Sequence, residues 1–243
     1  MEKDYILVLD SGVGGVSILK SLIKKLPNES FIYFLDNKNS PYGNKSKKFL
    51  EQNIINTLKE IFNNYKIKLV VFACNTITAT TITKVRKTFK DIIFVGTEPP
   101  VKLVKDNQKT LVLCTEQTLK YCKILEKFKS NPNFTFIALK DIAKLLDENF
   151  FNRQLILESL QSQIKNRDYK NVVLGCTHYY FLEEEIKRVL NNDYIIFYKS
   201  INGVTNRVLS LLKSTDFNLQ EIKIILSKKD IVLKNTINFL LKY

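Results

Sequence analysis

Leu69-Val70-Val71-Phe72-Ala73-Cys74-Asn75-Thr76 and Asn171-Val172-Val173-Leu174-Gly175-Cys176-Thr177-His178 decide how this chain folds. Each is an apolar run, then a small residue, then a cysteine and two polar residues, and each leads into a helix-like segment. A short continuous apolar run is the pattern of a strand buried on both faces of a parallel sheet. The same device therefore occurs once in each half of the chain: a buried strand that delivers a thiol to its carboxyl end. Two matched thiols suit a reaction that needs one base on each side of a substrate.

Working outward, residues 5–9 are expected as a strand ending at the glycine-rich turn Asp10-Ser11-Gly12-Val13-Gly14-Gly15, with an amphipathic helix over 16–26. A strand over 31–35 ends at Asp36, Pro41-Tyr42-Gly43 lies in the next loop, and helices are expected over 46–64 and 77–89, with a strand at 92–95. The second half repeats the rhythm. Strands are expected at 110–113 and 134–138, with a helix between them to about 129. A mainly helical stretch over 142–166 breaks near Asn149, and a helix over 181–190 and a strand over 194–198 follow the second cysteine strand. Ser200 is placed to cap a helix over 201–213, and after a strand at 222–226 the run Ser227-Lys228-Lys229-Asp230 has the shape of a capping box before a final helix to Lys242. Alternating strands and helices indicate an α/β protein. The parallel order of the halves indicates two pseudosymmetric parallel-sheet domains with the active site in the cleft between them. The expected division is 1–95 plus 205–243 for the first domain and 96–204 for the second.

The 243 residues are 45% hydrophobic and 26% charged, a globular composition with enough chain to bury a large core. The apolar run near the start is too short for a signal peptide or a membrane span, so a cytoplasmic protein without a membrane partner is expected. The four cysteines form no C-x-x-C, and the single His178 rules out a His-rich metal site. The net charge of +14 comes from lysines spread along the chain on polar helix faces, with no Arg-rich or aromatic-interleaved block. That pattern reads as a solvated surface and does not favour a nucleic-acid partner.

A sulfur at a strand end just before a helix meets unpaired amides and the positive end of the macrodipole, which favour its thiolate. Cys74 and Cys176 have that placement, whereas Cys114 and Cys122 read as buried apolar fillers. A facing pair of thiols fits proton transfer: one thiolate removes a proton from carbon and the opposite thiol returns one to the other face, inverting a stereocentre without a cofactor. Metal binding would have only Cys74, Cys176 and His178 to draw on. Asn75, Thr76 and Thr177 are candidate carboxylate donors, and Asp10 and His178 are candidates to hold an ammonium or orient a thiol. The glycine-rich turn with Asp36 after the next strand nearly matches a dinucleotide fingerprint, but Ser17 replaces the third glycine and Asp10 would repel a pyrophosphate.

Asp10-Ser11-Gly12-Val13-Gly14-Gly15, Pro41-Tyr42-Gly43, Cys74-Asn75-Thr76 and Gly175-Cys176-Thr177-His178-Tyr179, in this order and spacing, resemble the glutamate racemases of the cofactor-independent aspartate/glutamate racemase superfamily. The resemblance covers nearly the whole chain, with smaller matches at Glu98-Pro99, at Thr115 with Thr118, and at Ser227 with Asp230. It implies a substrate held between two α/β domains, Cys74 and Cys176 as proton donor and acceptor, and no cofactor or metal. Asp10, Ser11, Tyr42, Gly43, Asn75, Thr76, Thr177 and His178 are then expected to bind the substrate or tune the thiols. It also implies supply of D-glutamate for peptidoglycan and a homodimer. Tyr180 stands where a Pro is usual, Lys144 in a segment that usually reads Val-Pro-Leu, and Asp147 where a Glu is usual. Lys228-Lys229 replaces a Gly, and 197–200 lacks the Asp or Ser-Gly often seen there. The alternatives are a racemase of aspartate or another amino acid, and a non-catalytic binding protein on the same scaffold.

Overall fold

The computed structural model describes residues 3–212 and 219–242. The first half runs β1 (Tyr5–Asp10), α1 (Val16–Lys25), β2 (Ser30–Leu35), α2 (Lys47–Asn64), β3 (Ile67–Phe72), α3 (Asn75–Thr88) and β4 (Ile93–Gly96). The second runs β5 (Thr110–Cys114), α4 (Glu116–Tyr121), α5 (Lys123–Glu126), β6 (Phe134–Ala138), α6 (Ile142–Asn149), α7 (Arg153–Gln163), β7 (Asn171–Gly175), α8 (Glu183–Leu190) and β8 (Ile196–Tyr198). α9 (Ile201–Leu211), β9 (Ile222–Leu226) and α10 (Ile231–Lys242) complete it. The expected last residue of the helix after Ser200, Lys213, lies outside the described residues, as do 1–2, 214–218 and 243 of the expected first domain.

Every strand pairing is parallel. The first sheet has the order β4-β3-β1-β2-β9 and the second β6-β5-β7-β8. Reading the second backwards gives β8-β7-β5-β6, which matches β4-β3-β1-β2; β9 is an extra strand on the β2 edge. The pseudosymmetry is thus in the strand order itself, and it makes the β3 end equivalent to the β7 end. The central strands are apolar throughout because helices cover both faces: β1 and β5 are buried at every position. One face of the first sheet packs Leu19 and Leu22 of α1 and Val208 of α9, and the other packs Leu50, Ile54 and Leu58 of α2.

The expected helix to about 129 is broken at the extended Cys122 into α4 and α5 and ends at Glu126, and the strand expected over 194–198 spans only 196–198. Four further expectations, at the cysteines and the caps, differ. Helix α3 starts at Asn75 directly behind Cys74. By contrast, the residues after Cys176 form a 3-10 turn, Thr177–Phe181, before α8 begins. Thr, His, Tyr, Tyr and Phe are weak α-helix formers, and i to i+3 bonds from Tyr179 N–H to Cys176 O (3.0 Å) and from Leu182 N–H to Tyr179 O (3.0 Å) hold the tighter winding. Ser200 does not cap α9 with its side chain, because its hydroxyl is 2.6 Å from the buried Tyr180 hydroxyl. The capping box is not formed either: Asp230 accepts the Leu233 amide at 2.9 Å and caps α10, while Ser227 bonds Asn37 and the Lys38 amide in the β2–α2 loop.

Candidate active site

Strands β1, β3, β5 and β7 point their carboxyl ends at one another across a cavity of about 220 Å³. Among the expected residues, Ser11, Tyr42, Gly43, Cys74, Thr76, Cys176 and His178 line it. Asp10, Asn75 and Thr177 are buried behind that wall. Cys114 ends β5 fully buried and Cys122 sits in the break between α4 and α5; neither thiol lines the cavity.

The two cysteines meet different surroundings. Burial first, then the charges of Asp10 and Cys176, push the Cys74 thiol well above its ordinary range, while the Thr76 and Ile77 amides in the first turn of α3 act against this. The Cys176 sulfur has no α-helix behind it; it lies 3.9 Å from His178 Nδ1. The other ring nitrogen of His178, Nε2, donates to Asp147 Oδ1 at 3.1 Å. Burial alone would lower the affinity of His178 for its second proton. The charge and hydrogen bond of Asp147, together with the Cys176 sulfur, outweigh it and hold His178 well above the usual imidazole range. An imidazole favoured in its charged form therefore stands beside Cys176, whereas burial and the Asp10 carboxylate act on Cys74.

Asp10 takes the Ser11 amide on Oδ1 (2.7 Å) and the Thr177 hydroxyl on Oδ2 (3.1 Å). Burial raises its carboxyl to about 6, the charge of His178 being the main opposing influence. Thr76 Oγ1 lies 2.9 Å from Thr115 Oγ1, and Thr115 accepts the Thr118 amide as the cap of α4, so hydroxyls from both domains meet at the wall. Asn75 donates one N–H to the Thr97 carbonyl at 3.1 Å, and its buried Oδ1 has no partner. Tyr42 is aimed by Asp36, whose Oδ2 also accepts from Asn53 at 2.6 Å and whose two oxygens accept from Asn39.

The glycine-rich turn serves the meeting of the domains. A Cβ on Gly12 would overlap the Asp147 carboxylate, and one on Gly14 would overlap His178 and the Thr177 hydroxyl. The second domain fills the concavity that a phosphate would need, and Asp36 is already committed to its amide and phenol partners, which removes the dinucleotide reading. Among the described residues no group of three or more His, Cys, Asp and Glu side chains is gathered to hold a metal ion. At the mouth Asn44 donates to Asp141 Oδ1 across the cleft at 2.9 Å.

Asp147 is the residue whose role the sequence does not show. It stood out only as a departure from the family pattern, 31 residues before His178, and the contact between them is made by the packing of α6 on the 3-10 turn. Tyr180, another departure, is buried with its hydroxyl 2.6 Å from that of Ser200 and does not line the cavity.

No protein-family model matches the chain. It is 35% identical to the glutamate racemase of Clostridium novyi (strain NT) over 223 residues, covering 88% of this chain and 86% of that protein. It is 34% identical to the glutamate racemase of Buchnera aphidicola subsp. Acyrthosiphon pisum over 256 aligned positions, covering 98% and 95%. Among solved structures it is similar to glutamate racemase from Francisella tularensis in complex with D-glutamate, with a TM-score of 0.83, 25% identity and coverage of 100% and 95%. It is also similar to the Escherichia coli enzyme in complex with L-glutamate and the activator UDP-MurNAc-ala, with a TM-score of 0.81, 26% identity and coverage of 99% and 95%.

Proposed function

The chain belongs to the glutamate racemase family, and from that premise we propose that it interconverts L- and D-glutamate by proton transfer between Cys74 and Cys176. The observation that carries this reading is that one cavity takes a thiol from the end of β3 and a thiol from the equivalent end of β7, one from each domain. In one direction the thiolate of one cysteine takes the proton on Cα. The electron pair left on carbon then takes the proton of the opposite thiol on the other face. One thiol and one thiolate stand at the end as at the start, with roles exchanged, so no outside reagent is consumed.

The environments divide the labour. Cys74, buried and near Asp10, is held as the thiol, the form that gives a proton. Cys176 faces the His178 imidazolium, which offers a counter-charge as sulfur and carbon exchange a proton. The substrate carboxylates find donors in the Thr76 hydroxyl and the first-turn amides of α3. Their hydrogen bonds stabilise the charge that develops beside the reacting carbon.

The product, D-glutamate, is read as a supply for peptidoglycan, and the place of work as the cytoplasm, where four unpaired thiols stay reduced. No helix among the described residues is long and apolar enough to cross a membrane. A homodimer is supported by the outer face of α10, where Val232 and Phe239 lie seven residues apart and exposed, with Phe151 stacked edge-on against Phe239.

Proton NMR of L-glutamate with the purified chain in deuterated water, no cofactor added, tests the reaction. Loss of the Cα proton signal with appearance of D-glutamate on chiral analysis is expected, and Cys74→Ala and Cys176→Ala are each expected to abolish racemisation. Full activity in either variant overturns the two-thiol mechanism, and exchange with L-aspartate alone would change the substrate.

A further inference from the structure

We propose that Ser40 is a positioning residue for the Cys176 half of the reaction: its hydroxyl fixes the carboxylate of Asp147, which in turn holds the imidazole of His178. The inference rests on reading Cys176 and His178 as proton-transfer partners.

Asp147 comes from α6 of the second domain, yet two of its three hydrogen bonds are supplied by the first. Oδ1 accepts the Val13 amide at 3.0 Å as well as His178 Nε2 at 3.1 Å. Oδ2 accepts the Ser40 hydroxyl at 3.1 Å. Bonds on one oxygen alone leave a carboxylate free to swing about that oxygen; a donor on the second oxygen removes the freedom. Asp is one methylene shorter than the Glu that the family resemblance leads one to expect here, and in this chain the short carboxylate is tied at both ends.

Beyond Ser40 lies a second cavity, about 390 Å³, whose walls include Asp147, Lys144 and Lys228. Lys144 is paired only at long range, 3.9 Å from Glu148. With the Ser40 hydroxyl gone, water and these ammonium groups compete for Oδ2 and draw the carboxylate off the line to Nε2. Ser40 itself lines this second cavity and not the one that holds the thiols. Its removal therefore acts on the proton-transfer step through Asp147 and His178, and leaves the substrate contacts in place. A hydrogen bond to a charged group is of the size that moves a rate by about tenfold when lost.

The test uses the full chain and two substitutions. Ser40→Ala is expected to lower kcat on the order of tenfold with KM for glutamate within about twofold, and Ser40→Thr, which keeps the hydroxyl, is expected to restore kcat. Because the chain has a single histidine, the nitrogen NMR signal of labelled imidazole reports on His178 alone. That signal is expected to move in Ser40→Ala and to return in Ser40→Thr. An unchanged kcat and imidazole signal in Ser40→Ala, while Cys176→Ala is inactive, overturns the role of Ser40. So does Ser40→Thr as impaired as Ser40→Ala, which would mark a loop that merely tolerates no change. An active Cys176→Ala would instead bring down the proton-transfer reading beneath it.

Discussion

Asp10 sits at the end of a central strand, fully buried, with two donors on its carboxylate and no cation in direct contact. Its carboxyl is raised from 3.8 to about 6, so the fold disfavours the charged form. A raised carboxylate favours the native state while protonated, and that advantage is lost as pH rises from about 4 through about 6, by roughly 3 kcal/mol for a shift of this size. In Asp10→Asn the loss is absent. Denaturant unfolding is expected to show the variant gaining on the parent across that window and holding a constant lead above it; a gap that does not change with pH would contradict the burial argument. At this scale the sequence is a good guide to which residue types gather, because Cys74, Cys176, Ser11, Tyr42, Gly43, Thr76 and His178 all reach one cavity. It is a poor guide to who holds whom. Asp147 to His178 and Ser40 to Asp147 are contacts across 31 and 107 positions, made by packing that no local pattern encodes.

Elements defined by long apolar periodicity are where expectation and structure agree: residues 134–138 and 222–226 are strands over those spans, and α1 and α2 differ by a residue at an end. The departures occur where a polar side chain had two possible partners. Ser200 and Ser227 each satisfy the pattern of a cap, yet their hydroxyls go to Tyr180 and to Asn37 with Lys38, partners supplied by other elements. Asp230 takes the cap of α10 instead. Replacing it in Asp230→Ala is expected to cost about 1 kcal/mol of stability, measured by thermal or denaturant unfolding, with racemisation unchanged. A loss of several kcal/mol would mean that Asp230 holds more than the helix end.

For the whole molecule, the chain leaves the first sheet after β4, builds the second, and returns with β9 to the β2 edge, so the first sheet is completed only after the second has been made. Sedimentation at micromolar concentration is expected to give twice the 28.3 kDa chain mass, and Val232→Glu on the outer face of α10 is expected to shift it to the monomer. A wild-type chain that sediments as a monomer removes the dimer. The repeated strand–thiol pattern was enough to show two halves facing each other. It does not show that the carboxylates of Asp10 and Asp147 are held crosswise. Asp10 of the first domain is gripped by Thr177 of the second, and Asp147 of the second by Val13 and Ser40 of the first. The Asn44–Asp141 bridge crosses the same boundary, so a separation of the domains would break it together with both grips. The bonds that fix these two carboxylates are thus also bonds that fasten one domain to the other.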